Sequence, residues 1–184
     1  MGECLVNIKK KDFLLKSSTS IFECELNETE MDKNIKKVID DYGDRQNYQT
    51  NIKAQMTDWK MWNNPGFNHL TNIVLDICKK ISSLKLKKEK KNLVLHNLWG
   101  MKYKSNDYAV EHDHWPCLWS FVYYLKVPKG ASGLFFSELE DGIEIDVKSG
   151  LLVYFDGNLK HSVKPGVFKG YRYVVSGNIK EKIV

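Results

Sequence analysis

Glu111-His112-Asp113-His114-Trp115-Pro116 is the stretch whose reading decides the fold, and it is answered far along the chain by His161 and then Arg172. Two imidazoles at i and i+2, a third on a distant segment and a guanidinium beyond it have the makings of a metal site with a carboxylate anchor. In a β-strand, residues i and i+2 face the same way, so His112 and His114 point together while Glu111 and Asp113 point away. Trp115-Pro116 ends the strand at once and leaves the pair at a rim. His161 follows the turn Asp156-Gly157-Asn158 and opens another strand. The three imidazoles can then converge and leave coordination positions open for exchangeable ligands. His69 and His96 lack such company and read as ordinary core or surface residues. Cys117, the nearby thiol, reads as a small buried apolar residue rather than a ligand.

Outward from this stretch, the second half of the chain is a series of short apolar runs separated by turn residues. Leu93–Trp99, Tyr108–His112, Trp119–Leu125, Gly133–Phe136, Ile143–Val147, Leu151–Phe155, Ser162–Val163 and Tyr171–Ser176 are the candidate strands. Gly130, Asp141-Gly142, Ser149-Gly150, Asp156-Gly157-Asn158 and Pro165-Gly166 punctuate them. About eight short strands after a helical half predict a mainly β chain with flanking helices, built on a jelly-roll core with helices packed on one face.

The first half supports that core. Residues 4–9 and 20–26 alternate like half-buried strands. Asn27-Glu28-Thr29-Glu30 offers capping chemistry for a helix from about Met31 to Tyr42, with Ile35, Val38 and Ile39 on one face. Residues 46–66, with Trp59, Trp62 and Pro65, lose any clean period and predict a long irregular arm beside the site. Leu70, Ile73, Val74, Ile77, Ile81 and Leu84 then recur at helical spacing, predicting an amphipathic helix over 67–84 laid against a sheet.

A chain of 184 residues suits a single domain, with 1–91 supporting a core over 92–180. Hydrophobic residues at 42% and aromatics at 12% describe an ordinary globule. Cys4, Cys24, Cys78 and Cys117 form no C-x-x-C pair, which argues against a disulfide framework or zinc ribbon. The net charge of +5 is concentrated at Lys79, Lys80, Lys85, Lys87, Lys88, Lys90 and Lys91. No aromatic residue interleaves with that run, so it reads as a solvated helix tail and not as a nucleic-acid surface. No apolar run reaches the length of a membrane span and Met1-Gly2-Glu3-Cys4 has no signal-peptide shape, so the expected location is a cytoplasm.

From about Leu98 to Ile179 the chain resembles the 2-oxoglutarate and iron(II)-dependent oxygenases, particularly a prolyl-hydroxylase-like branch common in tailed phages and marine bacteria. Trp99, His112-Asp113-His114-Trp115-Pro116, Ser120 with Tyr124-Leu125, Gly150 through Phe155 to His161-Ser162-Val163, and Arg172 with Asn178 carry the resemblance in order. It implies a double-stranded β-helix holding iron(II) on His112, His114 and His161, with 2-oxoglutarate and O2 as cosubstrates beside an unidentified primary substrate. Hydroxylation with release of succinate and carbon dioxide is the implied chemistry, carried out in the host cytoplasm if the gene is a phage's. Arg172 would pair with the far carboxylate of 2-oxoglutarate, a task suited to a guanidinium fork. Ser176 shares the strand face of Arg172, Tyr103 precedes the first ligand strand and Tyr124 fills the Tyr-Leu slot; each is a candidate contact for the cosubstrate or an ordinary wall residue. Trp59, Trp62 and Trp115 either line a substrate groove or pack.

One position departs from the family pattern. The usual triad is two His and one carboxylate, and residue 114 is His, which leaves the metal site one unit more positive. If the strand is bulged, Asp113 is the fallback ligand. Two alternatives of other classes stay open: a cupin-like three-His metalloprotein, although its usual Glu is missing near Leu118 and Trp119, and a non-catalytic metal-stabilised binding module. Arg172 distinguishes them, because a purely structural metal has no use for it.

Overall fold

A computed structural model describes residues 18–42, 50–86 and 92–182. The expected strand over 4–9 and Lys87, Lys88, Lys90 and Lys91 lie outside the described residues. In chain order the elements are β1 (Phe22–Glu25), α1 (Thr29–Asp41), β2 (Ile52–Lys53), β3 (Gln55–Met56), two 3-10 turns (Met61–Asn63, Pro65–Phe67) and α2 (Asn68–Leu86). There follow β4 (Leu93–Tyr103), β5 (Tyr108–His112), β6 (Trp119–Lys126), β7 (Phe135–Phe136), β8 (Ile143–Glu144), β9 (Leu151–Asp156), β10 (His161–Val163) and β11 (Arg172–Glu181). The strands form a six-stranded sheet, β1-β9-β6-β11-β4-β3, and a five-stranded sheet, β2-β5-β10-β7-β8. Every ladder is antiparallel.

The larger sheet is covered on both faces, which explains why β6 and β9 read as continuous apolar runs rather than alternating ones. Trp119, Phe121, Tyr123 and Leu125 of β6 point to a cluster shared with the helices, while Val122 and Tyr124 point to the cluster shared with the smaller sheet. In β9, Leu152 and Tyr154 face the helices, and Leu151, Val153 and Phe155 face the smaller sheet. The layers are therefore helices, six-stranded sheet, five-stranded sheet.

Helix α1 seats Met31, Ile35 and Ile39 on the sheet. Its N-cap, Glu28, makes no side-chain capping bond. The expected capping chemistry is not used; the Glu28 carboxylate lies 3.3 Å from His69 Nε2 instead. In α2 the buried residues are Leu70, Val74, Cys78, Ile81 and Ser82, and Leu84 is exposed. The stripe thus turns away from the sheet after Ser82, whose hydroxyl accepts from Trp119 Nε1 at 2.8 Å. α1 packs tightly over Gly100: a Cβ there would lie 2.5 Å from Ile39 Cγ1.

The segment before α2 is more ordered than its composition predicts. Ile52 and Lys53 pair with Ala109 and Tyr108 in one sheet, and Gln55 and Met56 pair with Lys102 and Met101 in the other. The stretch 50–60 therefore stitches the two sheets together at one end, closing it further with the Leu98 N–H donating to Trp59 O at 2.9 Å. Its hydrogen bonds come from partners distant in sequence, which local periodicity does not report. β4 also runs four residues past its expected end at Trp99, to Tyr103, because β11 pairs with it along its whole length. No described helix is long and apolar enough to cross a membrane.

Candidate metal centre

β5 carries His112 and β10 carries His161, while His114 lies two residues past the end of β5. His161 is the ladder partner of His112, but Val163 pairs with Ala109, so β5 holds one extra residue between these pairs. That bulge lets Ala109 and His112 both point inward and turns Val110 and Glu111 out to solvent. It lies before His112, so the parity between His112 and His114 survives even though the strand ends at His112. Asp113 is exposed, and its Oδ1 accepts from the Trp115 N–H at 3.0 Å. The bulge that would have favoured Asp113 is present, and its placement keeps Asp113 out of the cluster.

His114 is held by its backbone. Its N–H donates to Gly157 O at 2.7 Å, and its carbonyl accepts from the Cys117 N–H at 2.8 Å. Gly157 permits this contact, since a Cβ there would sit 2.2 Å from Cys117 O. The turn that delivers His161 and the turn that follows His114 are thereby packed against each other. Cys117 is buried in that packing.

The ligand atoms of His112, His114 and His161 lie within 4.8 Å of one another. Ring centroids are 4.5 Å apart for His112 and His161, 4.9 Å for His112 and His114, and 5.0 Å for His114 and His161. His112 Nδ1 is 2.6 Å from Val110 O, and His161 Nδ1 is 3.0 Å from Leu159 O. With Nδ1–H donating to those carbonyls, the Nε2 lone pair is left for a metal, and the ring orientation is fixed from behind. Phe155 packs edge-on against His161 at 4.7 Å. Burial is the main reason the imidazoles resist protonation: His161 is pushed down to about 4 and His114 to about 2, the neighbouring imidazoles adding to both, and His112 is lowered. Three neutral, converging imidazoles are the donor set a divalent transition metal takes.

The histidines border a narrow cavity between the sheets. Its floor is laid in rows by the alternation of β4, β11 and β6: Tyr103 beside Arg172, Met101 beside Val174 and Tyr124, then Trp99 beside Ser176 and Val122. Arg172, Ser176, Tyr103 and Tyr124 all line the cavity together with the three histidines. Arg172 is 3% exposed, its guanidinium lies 4.0 Å over the Tyr103 ring, one Nη donates to Ser132 O, and its Nε has no partner. Burial raises the Tyr103 and Tyr124 hydroxyls above their ordinary values, so both stay protonated donors. Among the described residues no Asp or Glu lines this cavity.

A groove opens beside it, bordered by Thr50, Asn51, Ile52, Trp59, Asn97, Trp99, His112, Asp113 and His114. Trp59 stands edge-on to Trp99 at 4.8 Å. Trp62 packs against the helix-side cluster instead, and Trp115 is 76% exposed. Trp99 borders both spaces; the sequence marked it as part of the resemblance but gave it no place in the site, for which alternation with Met101 and Tyr103 was the available signal.

No family model and no curated protein matches the chain. Solved structures do. The viral collagen prolyl hydroxylase of Paramecium bursaria Chlorella virus-1 is 15% identical with a TM-score of 0.65, the match covering 95% of this chain and 99% of that one. A Pseudomonas putida prolyl-4-hydroxylase is 13% identical with a TM-score of 0.65, over 90% and 95%. HygX from Streptomyces hygroscopicus, solved with nickel, 2-oxoglutarate and hygromycin B, is 9% identical with a TM-score of 0.67, over 90% and 84%. These likenesses establish the fold: the chain has the double-stranded β-helix architecture of the 2-oxoglutarate and iron(II)-dependent oxygenases.

Proposed function

We propose that the protein is an iron(II) and 2-oxoglutarate-dependent dioxygenase that hydroxylates a protein side chain or a small molecule. One observation carries this reading: a cavity with three converging neutral imidazoles at one end has a buried guanidinium with an unpartnered Nε at the other. A structural metal site needs the first feature and has no use for the second. The residues fit the group. His112, His114 and His161 would hold the metal, and Arg172 would take the distal carboxylate of 2-oxoglutarate as a charge-assisted pair. The fold's likeness to oxygenases solved with 2-oxoglutarate supports the same assignment.

Iron and 2-oxoglutarate, when bound, supply O2 activation: one oxygen atom enters succinate as carbon dioxide leaves, and the other enters a substrate C–H bond. The chain's own part is positional. Arg172 and the Tyr103 and Tyr124 hydroxyls fix the cosubstrate, while Met101, Val122 and Val174 keep water from the space between its ends. The Val110 and Leu159 carbonyls hold His112 and His161 in one tautomer. The primary substrate would enter through the groove beside Trp59 and reach the metal past His112 and His114.

Anaerobic addition of iron(II) and then 2-oxoglutarate tests the reading. Bidentate chelation is expected to give a visible charge-transfer band that needs both additions. No band, with zinc bound tightly and no response to 2-oxoglutarate, overturns it in favour of a three-His metalloprotein without oxygenase chemistry.

A further inference from the structure

Trp99 Nε1 is a buried hydrogen-bond donor without a partner, on a side chain 2% exposed. Leaving such a donor unmade is costly, so a site that keeps one holds an acceptor for it in the working state. The indole is not loosely placed. Trp59 fixes its edge at 4.8 Å, its ring lies 6.2 Å from that of His114, and it sits across the ladder from Ser176. Among the described residues, the other buried side-chain donor on this cavity without a partner is Arg172 Nε. Along β11, Arg172 and Ser176 are four residues and ~13 Å apart. The cavity therefore has an unpartnered donor toward each end and, among the described residues, no lining carboxylate to satisfy either.

That arrangement matches a ligand with an anionic group at each end. Arg172 faces one end in the reading above, on which this inference rests. We propose that Trp99 is the positioning residue for the other end, its indole N–H donating to a carboxylate oxygen of the dianion beside the three histidines. An indole suits that place. It donates without accepting, does not titrate, and adds no second cation beside a bound dication, as Lys or Arg would.

Oxalate separates the two ends, since its adjoining carboxylates can chelate a metal but cannot reach Arg172. The test is titration of manganese(II)-loaded protein with 2-oxoglutarate and with oxalate, for the wild type, Trp99→Phe and Arg172→Met. Trp99→Phe is expected to weaken both dianions about tenfold while manganese affinity stays within about twofold. Arg172→Met is expected to weaken 2-oxoglutarate and leave oxalate unchanged. A Trp99→Phe protein that binds oxalate as the wild type does overturns the inference while leaving the oxygenase reading intact. Failure of loaded wild-type protein to bind either dianion overturns that reading and the inference with it. If Trp99→Phe does not fold, the benzothiophene analogue of tryptophan at position 99 keeps the ring and replaces its N–H with sulfur; the same weakening is expected, and unchanged oxalate affinity overturns the inference.

Discussion

His112 and His161 are direct cross-strand partners, with ring centroids 4.5 Å apart and each Nδ1 turned to the carbonyl two residues before it. Both lone pairs are thus aimed before any metal arrives. Replacing either with Ala removes a ligand rather than its support, so metal affinity should fall by more than about a hundredfold, beyond the range seen for supporting contacts. Competition with a chromophoric chelator measures it, and circular dichroism checks the fold. Near-wild-type affinity in either variant would remove that residue from the ligand set.

His114 brings no charge to the site, and no acidic residue lines the cavity among those described. A bound dication is then offset by the dianion alone. His114→Asp should raise metal affinity in the absence of 2-oxoglutarate and shrink the further gain that 2-oxoglutarate provides. Chelator competition with and without 2-oxoglutarate reads both numbers. An undiminished gain would contradict this account of the charge.

Arg172 stacks over Tyr103 and its Nε has no partner within the protein. A charge-assisted hydrogen bond is worth about 1.5–3 kcal/mol, so Arg172→Met should weaken 2-oxoglutarate about 10- to 100-fold. Arg172→Lys should recover part of that loss, because an ammonium restores the charge without the fork. Calorimetric titration of metal-loaded protein checks both.

Gly100 lies under Ile39 with no room for a side chain. Gly100→Ala should destabilise the fold by about 1–3 kcal/mol, the usual range for overpacking a core. Urea unfolding measures it; a neutral result would mean that α1 shifts without cost.

Asp40 ties α1 to the larger sheet, accepting from Lys102 Nζ at 2.7 Å and from the Tyr173 hydroxyl at 2.8 Å. Burial alone would raise its pKa, but the bonds to Lys102 and Tyr173 outweigh that and hold it below 3.8. A carboxylate with a lowered folded pKa contributes stability that is present above its unfolded value and lost as pH falls through the folded one. Asp40→Asn should therefore lower the melting temperature at neutral pH, and the difference from wild type should shrink below about pH 4. Thermal melts across that range check it; a gap that persists in acid would assign the effect to packing.

The metal-binding face was legible in the sequence because strand alternation is a local rule: His112 and His114 share a side wherever the strand goes next. The shared face of Arg172 and Ser176 on β11 was legible for the same reason, since they are four apart. The bulge at Val110-Glu111 was not, because it is defined by a slip against β10 and not by any residue type in β5. Neither was the stitching of 50–60 across both sheets, whose pairing partners lie about 40 to 60 residues away and whose strands are too short to show a period. Trp99 was visible as a strand residue, and its unpartnered nitrogen became apparent only with the cavity.

The doubly covered sheet has a practical consequence. Along β6, β9 and β11, neighbouring residues belong to different tasks, one set anchoring the helices and the next facing the site. Even and odd positions can therefore be redesigned as two separate libraries. Val122, Val174 and Met101 can be varied to reshape the cavity, while Tyr123, Val175 and Leu98 go on holding the scaffold.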